Sequence, residues 1–285
     1  MLSLDFACTA CGRCCHGSFS ATLDEALRLA GELPLAIGLT HTNGPARNPS
    51  RAQAQAERRY AVRYISGDNR TLYIAPSIGS LRLPDLPCVF LTPERLCRLQ
   101  GEAKPLRCRA MPLPRGTEPA KGVYAATTGK CPPEVRDGPP LLRTGRVVDP
   151  GYARAARAEL DALAADLEIL APALLYAAQV FAEVGELVEG PRRRSDLFAA
   201  SPAFAALAAH GLGRWPLDAA AGFCEAQAAQ LTRAAAELGA ANPDLARRVR
   251  GFASAALVVG RDLRAGGGRS LENWRAFMAE VDLRP

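Results

Sequence analysis

The chain has 285 residues, of which 48% are hydrophobic and 22% charged, and its formal net charge is +6. This balance predicts a folded protein rather than a disordered one, and no apolar run reaches the roughly 20 residues of a membrane-spanning helix. The basic charge alone would suit nucleic acid, but no helix-turn-helix or zinc-finger pattern accompanies it. The first residues contain neither a basic segment nor a long apolar run, so we expect a cytoplasmic protein without a secretion signal.

The composition changes near residue 150. Eight of the nine cysteines and most prolines precede this point, and the sequence that follows is rich in alanine. We therefore predict two domains, a cysteine-cluster module over 1–148 and a helical domain over 149–285. The expected fold class is α+β: a loop-rich module with a small antiparallel sheet, followed by an all-α region.

The first half contains few predicted elements. A short helix is predicted over 22–31, with Thr22 as its N-cap and Glu25 placed as in a capping box. A turn-rich segment is predicted over 40–56, and three strands are predicted over 60–65, 71–74 and 122–127. The first strand alternates in the manner of a β-strand and is separated from the second by the turn residues Gly67–Asn69, which predicts a β-hairpin.

The second half shows apolar residues at helical spacing almost throughout. The predicted helices cover 152–188, 195–209, 217–239, 243–264 and 270–282. Pro172 is expected to kink or split the first of them. Asn242 followed by Pro243 has the pattern of an N-cap and a first-turn proline.

The strongest chemical pattern is Cys8-x2-Cys11-x2-Cys14, followed directly by Cys15. Two intervening residues let a tight loop direct several sulfur atoms at one centre, as in the ferredoxin C-x2-C-x2-C run, and Gly12 permits the sharp turn. Adjacent residues of an extended chain point in opposite directions, so Cys14 and Cys15 do not easily ligate one ion. In a reducing cytoplasm such clusters bind metal more often than they form disulfides.

Four further cysteines, Cys88, Cys97, Cys108 and Cys131, lie in proline-rich sequence that suits a rigid ligand cage. Eight cysteines fit two four-thiolate sites, or one site with spare thiols, and the sequence leaves both open. Basic residues near the cysteines would offset thiolate charge or lie on ordinary surface: Arg13, Arg95, Arg98, Lys104, Arg107 and Arg109. Cys224 stands apart on a predicted helix and is expected to be a buried core residue.

Other candidate residues are few. His16 follows Cys15. It is either a metal ligand, a residue beside the ligands that hydrogen-bonds one of them, or an exposed residue. His41 is expected to be solvated and His210 to lie at a helix C-terminus. Arg192–Arg194 is expected to lie in an interhelical loop, with an acidic partner as the alternative. The sequence contains no serine–histidine–aspartate set, zinc-protease motif or P-loop.

The order of these motifs resembles the CxxCxxCC cysteine-cluster family, whose YkgJ-like members are described as zinc- or iron-chelating. The resemblance covers about residues 4–135. It implies metal or iron–sulfur ligation by Cys8, Cys11, Cys14, Cys15, Cys88, Cys97, Cys108 and Cys131. The chain departs from the family pattern at Leu99–Ala103, where an aromatic residue is missing and the loop is one residue longer. The cluster region is also similar to flagellin lysine N-methylases, which use S-adenosylmethionine.

Three functions fit this pattern. The first is an iron–sulfur protein, 4Fe–4S by preference, with a redox or S-adenosylmethionine-linked catalytic role. The second is a zinc-stabilised structural module whose helical half binds a protein partner. The third is metal storage or delivery. Thiolate ligands alone do not separate iron from zinc, and we expect neither a membrane nor a nucleic-acid partner.

Overall fold

The computed structural model of the protein describes residues 2–10, 12–13, 15–16, 19–43, 59–65, 71–81, 86–99, 101–120, 126, 128, 131–180 and 197–280. Within these residues the chain has an α+β fold, as the sequence predicts. The strands are β1 Leu4–Asp5, β2 Ser20–Ala21, β3 Leu35–Asn43, β4 Val62–Ile65, β5 Thr71–Ser80, β6 Pro140–Arg143, β7 Arg146–Val147 and β8 Leu197–Ala200. None of the described helices is long and apolar enough to cross a membrane.

The α-helices are α1 Leu23–Leu29, α2 Leu106–Ala110, α3 Pro150–Val180, α4 Ala203–Gly211, α5 Leu217–Leu238, α6 Pro243–Arg264 and α7 Gly268–Glu280. Two short 3-10 helices cover Gly101–Ala103 and Pro133–Asp137. The helices predicted over 22–31, 217–239, 243–264 and 270–282 are therefore confirmed to within a few residues at each end.

The chain divides into two compact units, and each unit is assembled from separate stretches of sequence. The first contains Met1–Thr22, Thr42–Ala75 and Arg82–Ala165, and the second contains Leu23–His41, Pro76–Leu81 and Asp166–Pro285. All described cysteines before residue 150 belong to the first unit. The division into 1–148 and 149–285 rested on composition, and it stays a prediction.

Two hairpins supply the strands of the first unit. β4 pairs with β5 in antiparallel register, with Val62 opposite Ile74 and Ile65 opposite Thr71, which confirms the predicted hairpin. β6 and β7 form a second hairpin that the sequence analysis missed, and β1 pairs with β6 on its other side. Its turn residues Thr144 and Gly145 have φ values of 48° and 78°, typical of a two-residue hairpin turn.

The first half of α3 carries the apolar core of the first unit. One cluster of buried residues contains Phe6, Ala110, Leu113, Val135, Leu141, Leu142 and Ala156. A second contains Tyr60, Ala61, Ala75, Leu160 and Leu163. Ala156, Leu160 and Leu163 follow each other at intervals of four and three, so a single helix face serves both clusters.

Helix packing builds the second unit. α5 and α6 approach closely where a Cβ atom on Gly260 would lie 3.0 Å from the Cβ atom of Cys224. Cys224 is 0% exposed, which confirms the prediction of a core residue. The Asn242 side chain accepts a hydrogen bond of 3.2 Å from the Leu245 backbone, so the predicted N-cap of α6 is also confirmed.

Two sequence-based assignments are wrong. Residues 197–200 form strand β8 rather than the start of a helix, because β8 pairs with β3 through Ile37–Ala200 and Gly38–Phe198. β3 extends to Asn43, into the segment predicted as turns. Pro172 does not split α3, which continues to Val180, and the alternative of a kink at this proline stays a prediction. The predicted strand over 122–127 lies outside the described residues except for residue 126, and the described part of that segment settles nothing about it.

Candidate metal centre

A short hairpin holds Cys88 and Cys97. The Arg98 N–H donates to the Phe90 carbonyl at 2.7 Å and the Thr92 N–H donates to the Leu96 carbonyl at 2.8 Å. Between these two pairs, Leu91 lies opposite Cys97. A turn in which the Leu91 N–H donates to the Cys88 carbonyl at 3.0 Å places Cys88 at the base of the same hairpin.

Cys15 pairs with the base of this hairpin. The Cys88 N–H donates to the Cys15 carbonyl at 2.8 Å, and His16 forms an antiparallel bridge with Pro87. In that register Cys15 lies directly opposite Cys88. Residues directly opposite in an antiparallel pair project to one side, with Cβ atoms about 4.5–5.5 Å apart. The two thiols therefore belong to one face.

The N-terminal cysteine loop rests on the tip of the hairpin at Gly12. This glycine has a φ of 70°, and a Cβ atom on it would lie 3.0 Å from the Arg95 carbonyl oxygen and 3.1 Å from the Leu91 side chain. Only glycine combines this backbone conformation with so close an approach at low cost. The turn closes where the Cys15 N–H donates to the Gly12 carbonyl at 3.0 Å.

Helix α2 places Cys108 beside the hairpin thiols. The pKa of the Cys108 thiol is raised to about 12, mainly by burial and to a smaller extent by the neighbouring Cys88 and Cys97. The positive charges of Lys104 and Arg107 act in the opposite direction. The Cys97 thiol meanwhile donates to the Leu99 carbonyl at 3.1 Å. Three cysteines from two elements thus lie within electrostatic range of one another.

The position of α2 depends on a buried ion pair. Arg107 donates to both carboxylate oxygens of Glu159 on α3, at 3.1 Å and 3.0 Å, and also to the Leu113 carbonyl. The Gly116 N–H donates to the same carboxylate at 3.3 Å. The side chain of Glu159 is 3% exposed and that of Arg107 13% exposed. Glu159 therefore fixes the helix that carries Cys108 and the loop that follows it.

The basic residues near the cysteines do not act as one group. Arg107 belongs to the Glu159 pair, although its charge still reaches Cys108. The Arg98 guanidinium lies 5.5 Å from the centroid of the Phe90 ring. Arg13 and Arg95 are exposed. Of these basic residues, Lys104 and Arg107 are the two whose positive charge favours the thiolate form of Cys108.

Cys8 and Cys131 lie beside a different set of residues. The Ala7 N–H donates to the Val135 carbonyl at 2.7 Å, which places exposed Cys8 next to the 3-10 helix that follows Cys131. Cys131 packs against the apolar cluster that contains Phe6 and Val135. The pKa of Tyr152 is raised to about 12, mainly by desolvation, with smaller contributions from Cys8 and Asp149.

The remaining candidates are placed as follows. Cys11 and Cys14 lie outside the described residues, as does Arg192–Arg194. His16 is exposed, and His210 stands at the end of α4, where its Nδ1 atom lies 3.0 Å from the Trp215 carbonyl oxygen. Burial raises the pKa of the Cys224 thiol to about 12.

None of the seven described cysteines forms a disulfide bond with another described cysteine. Within the described ranges, which omit Cys11 and Cys14, no three cysteine, histidine or carboxylate side chains lie close enough to hold one ion as they stand. The donor chemistry and partial burial of Cys15, Cys88, Cys97 and Cys108 suit a soft metal centre.

Comparison with known proteins found no match. Neither the protein-family models, nor the curated proteins, nor the solved structures contain one. The likeness to the CxxCxxCC family therefore still rests on the cysteine motifs. The arrangement of the thiols is therefore the main evidence for a function.

Two residues that support the site were missed from the sequence. Glu159 is one of many acidic residues in a long helix, and its long-range pairing with Arg107 leaves no local pattern. Tyr152, which lies in an edge arrangement with Phe6 at a centroid distance of 6.0 Å, follows Gly151 at the start of the same helix. The spacing of Tyr152, Ala156 and Glu159 on one helix face was the available signal.

Proposed function

We propose that the first unit binds metal through cysteine thiolates and that the bound group is an iron–sulfur cluster, 4Fe–4S by preference. The observation that carries this proposal is the placement of Cys108 beside Cys88 and Cys97, with Cys15 directly opposite Cys88. Four cysteines separated by up to 93 positions in sequence (Cys15 to Cys108, 108 minus 15) converge on one region. If these cysteines were only small residues of the core, nothing would require them to lie in the same region.

The local chemistry supports a negatively charged thiolate group. A four-thiolate cluster carries net negative charge, and Lys104 and Arg107 both stabilise the deprotonated form of Cys108. Burial is the largest cause that raises the pKa of the Cys108 thiol to about 12, so this thiol is protonated when no metal is bound. A metal supplies the positive charge that makes a buried thiolate favourable, because the coordinating thiol is deprotonated on binding.

Two features favour iron–sulfur over zinc. The C-x2-C-x2-C spacing from Cys8 is that of ferredoxin loops. Cys15, Cys88 and Cys97 are only partly buried, so an electron-transfer partner or a substrate can approach. When bound, such a cluster would supply one-electron chemistry. The residues of this chain hold it, set its charge environment and limit its exposure to water.

The test is anaerobic purification followed by visible absorption and elemental analysis for iron, acid-labile sulfide and zinc. We expect a coloured protein with iron and sulfide in equal amounts. Cys108→Ser should lose metal, whereas Cys224→Ala, a substitution in the core of the second unit, should retain it in full. Stoichiometric zinc without sulfide would replace iron–sulfur by a zinc centre. A wild-type protein that holds neither metal after reconstitution would refute the proposal.

A further inference from the structure

Helix α6 has two different faces. Its inner face packs inside the second unit, where Ala253, Val259 and Leu263 are buried. Its outer face carries two large apolar side chains, Leu257 and Val258, which are 42% and 65% exposed. Among the large hydrophobic residues that the structure describes, Val258 has the greatest exposed fraction. The outer face therefore has an apolar centre that the described part of the fold leaves in water.

The exposed residues of this outer face follow the spacing of a helix–helix seam. Arg250, Ser254, Leu257 and Arg261 are separated by four, three and four positions, so they lie along one line on the helix surface. Alternating steps of three and four are the positions through which two helices pack along each other. A second helix laid along α6 would therefore meet the apolar pair near the middle and an arginine on either side.

Gly251 lies on the same face, in the interior of α6. It is exposed, and a Cβ atom on it would meet no described heavy atom within 4 Å outside the adjoining helix backbone. Glycine in a helix interior is less favourable than alanine, because ordering its backbone costs more conformational entropy. The described residues give no packing reason for this glycine. A docked helix does give one, since the distance between two helix axes depends on the side chains at the contact.

The charge of the outer face indicates which kind of partner it fits. Among the described residues, neither Arg250 nor Arg261 forms an ion pair, while the neighbouring Arg264 pairs with Glu225. Two guanidinium groups without a neutralising carboxylate thus flank the apolar centre. Acidic side chains on either side of a partner's apolar residues would complement them, and such complementarity steers association and fixes register.

Other occupants fit this face less well. A second copy packed antiparallel about Ser254 would place Arg247 of one chain opposite Arg261 of the other, and a parallel copy would place each arginine opposite itself. Like charges placed against each other across an interface oppose binding. Binding to a membrane surface requires a wide apolar face, whereas this face has two aliphatic side chains.

We infer that the outer face of α6 docks an amphipathic helix of another protein, whose apolar residues contact Leu257 and Val258 and whose acidic residues pair with Arg250 and Arg261. The backbone of that helix approaches α6 at Gly251. The surface belongs to the second unit, so the proposal stands whether or not the first unit holds a metal.

The test uses the full-length protein and two fluorescently labelled synthetic peptides. Both are about 20 residues long, because shorter isolated helices are marginal in water, and both carry leucine at the seam positions. One peptide has glutamate on either side of the leucines, and the other has lysine there. Fluorescence anisotropy should show saturable binding of the glutamate peptide that weakens as salt is added, with the lysine peptide bound at least about tenfold more weakly.

Charge reversal provides the decisive variant. The double variant Arg250→Glu/Arg261→Glu should lose the glutamate peptide and bind the lysine peptide instead. Arg28→Glu, which makes the same kind of change at an exposed arginine of α1, is the matched control and should bind both peptides as the wild type does. Both tryptophans, Trp215 and Trp274, lie in the second unit, and their fluorescence reports whether each variant keeps that unit folded.

Two further variants test the apolar centre and the close approach. Val258→Ser should weaken binding of the glutamate peptide several-fold, because it removes a large apolar contact from the centre of the interface. Gly251→Leu should block binding while leaving stability in urea unchanged or higher, since leucine favours the helix more than glycine does. Loss of binding together with equal or greater stability is a result that a purely structural glycine would not give.

Several results would overturn the inference. They include no saturable binding of the glutamate peptide, equal binding of the two peptides, and unchanged binding by the charge-reversed double variant. Wild-type chains that self-associate in sedimentation equilibrium, with Val258→Ser abolishing the association, would show that a second copy covers this face instead. Binding to phosphatidylglycerol vesicles but not to the peptide would show that the face contacts a membrane surface.

Discussion

The two units of the molecule are stabilised in different ways. Among the described residues of the first unit, two apolar clusters contain seven and five buried residues, and the buried carboxylates of Glu159 and Glu118 pair with Arg107 and Arg157. In the second unit, alanine-rich helices and an aromatic group of Tyr176, Phe204, Trp274 and Phe277 fill the interior, with ring centroids 5.2–5.8 Å apart. The comparison teaches that a loop-rich region with a modest core depends on specific polar bonds, whereas helix packing depends mainly on apolar burial.

Metal removal is expected to give the largest difference between the units. Thiolate–metal binding free energy is folding free energy, on the order of 10 kcal/mol for structural sites. Treatment with a chelator under anaerobic conditions should abolish the hydrogen-exchange protection of the hairpin amides of Cys88, Leu91 and Arg98. The amides of α5 and α6 should change much less.

The reconstituted protein serves as the control for this measurement. Protection should return in the hairpin when iron and sulfide are added back. Equal exchange of the hairpin amides with and without metal would show that the apolar clusters alone hold the first unit, and the contrast between the units would then be wrong.

Glu159 is the next most sensitive position. Glu159→Ala removes the carboxylate that accepts from Arg107 and from the Gly116 backbone, and it leaves a largely buried guanidinium without its partner. Breaking a buried pair from one side costs roughly 3–5 kcal/mol. We expect a loss of that size in the free energy of unfolding in urea, together with weaker metal retention because α2 carries Cys108.

An exposed ion pair in the same unit gives the matched control. Arg143 and Asp5 are paired at 2.5 Å, but their side chains are 45% and 44% exposed. Asp5→Asn should change stability by about 1 kcal/mol or less, since exposed pairs contribute little. A Glu159→Ala variant no less stable than Asp5→Asn would contradict the role given to the buried pair.

Gln227 has the corresponding role in the second unit. Its side chain, 0% exposed, accepts from the Leu35 N–H at 2.7 Å and donates to the carbonyls of Ala30 and Leu33 at 2.7 Å and 3.0 Å. Gln227→Leu keeps the approximate size but deprives three buried backbone groups of their partner. We expect a loss of roughly 3–4 kcal/mol in urea unfolding, without any change in metal content.

The control for Gln227 lies on the same helix. Glu237 is exposed near the end of α5, and Glu237→Gln should alter stability by about 0.5 kcal/mol or less. If Gln227→Leu behaved like Glu237→Gln, water or relaxed backbone would be satisfying the turn after α1, and packing rather than this amide would hold it.

Local patterns explain what the sequence could predict of this fold. The start of α6 follows from Asn242 and Pro243, and the β4–β5 hairpin follows from alternation on either side of a turn. The bonds of Gln227 to residues 192–197 positions away, and the pairing of β8 with β3, are long-range and leave no comparable trace. Strand β8 has a composition that suits a helix, so tertiary pairing decided its structure.

The candidate site likewise has local features that the sequence predicts and long-range contacts that it does not. Spacing and the family resemblance identified the cysteines as ligand candidates, because C-x2-C-x2-C is a local motif. Their grouping was not predictable, because Cys15 meets Cys88 only through a strand pair across 73 positions (88 minus 15). The sequence analysis accordingly left one site and two sites open.

Apart from the control variants, Asp166 offers the smallest predicted effect, and it separates burial from pairing in the second unit. It is 1% exposed, accepts a bond of 2.8 Å from the Leu23 N–H at the start of α1, and lies 3.4 Å from the Arg214 guanidinium. Burial raises its pKa from 3.8 to about 6, with Asp24 and Glu25 adding to the rise and the Leu23 bond and Arg214 opposing it. Desolvation therefore outweighs the ion pair at this carboxyl.

The sign of the pH dependence follows from that balance. Between about pH 4 and pH 6 the folded chain keeps the Asp166 proton whereas the unfolded chain has released it, so the free energy of unfolding falls as pH rises through this window. The fall amounts to at most about 3 kcal/mol, from roughly two pKa units at 1.36 kcal/mol each. The Asp166→Asn variant cannot ionise at this position but can still accept the hydrogen bond from the Leu23 N–H, so it should lack this fall in the free energy of unfolding. Subtracting its stability curve from that of the wild type removes the contribution of all other carboxyl groups. A difference that rises with pH over the same window would show that Arg214 outweighs burial, and a flat difference would show that Asp166 is as well solvated in the folded chain as in the unfolded one.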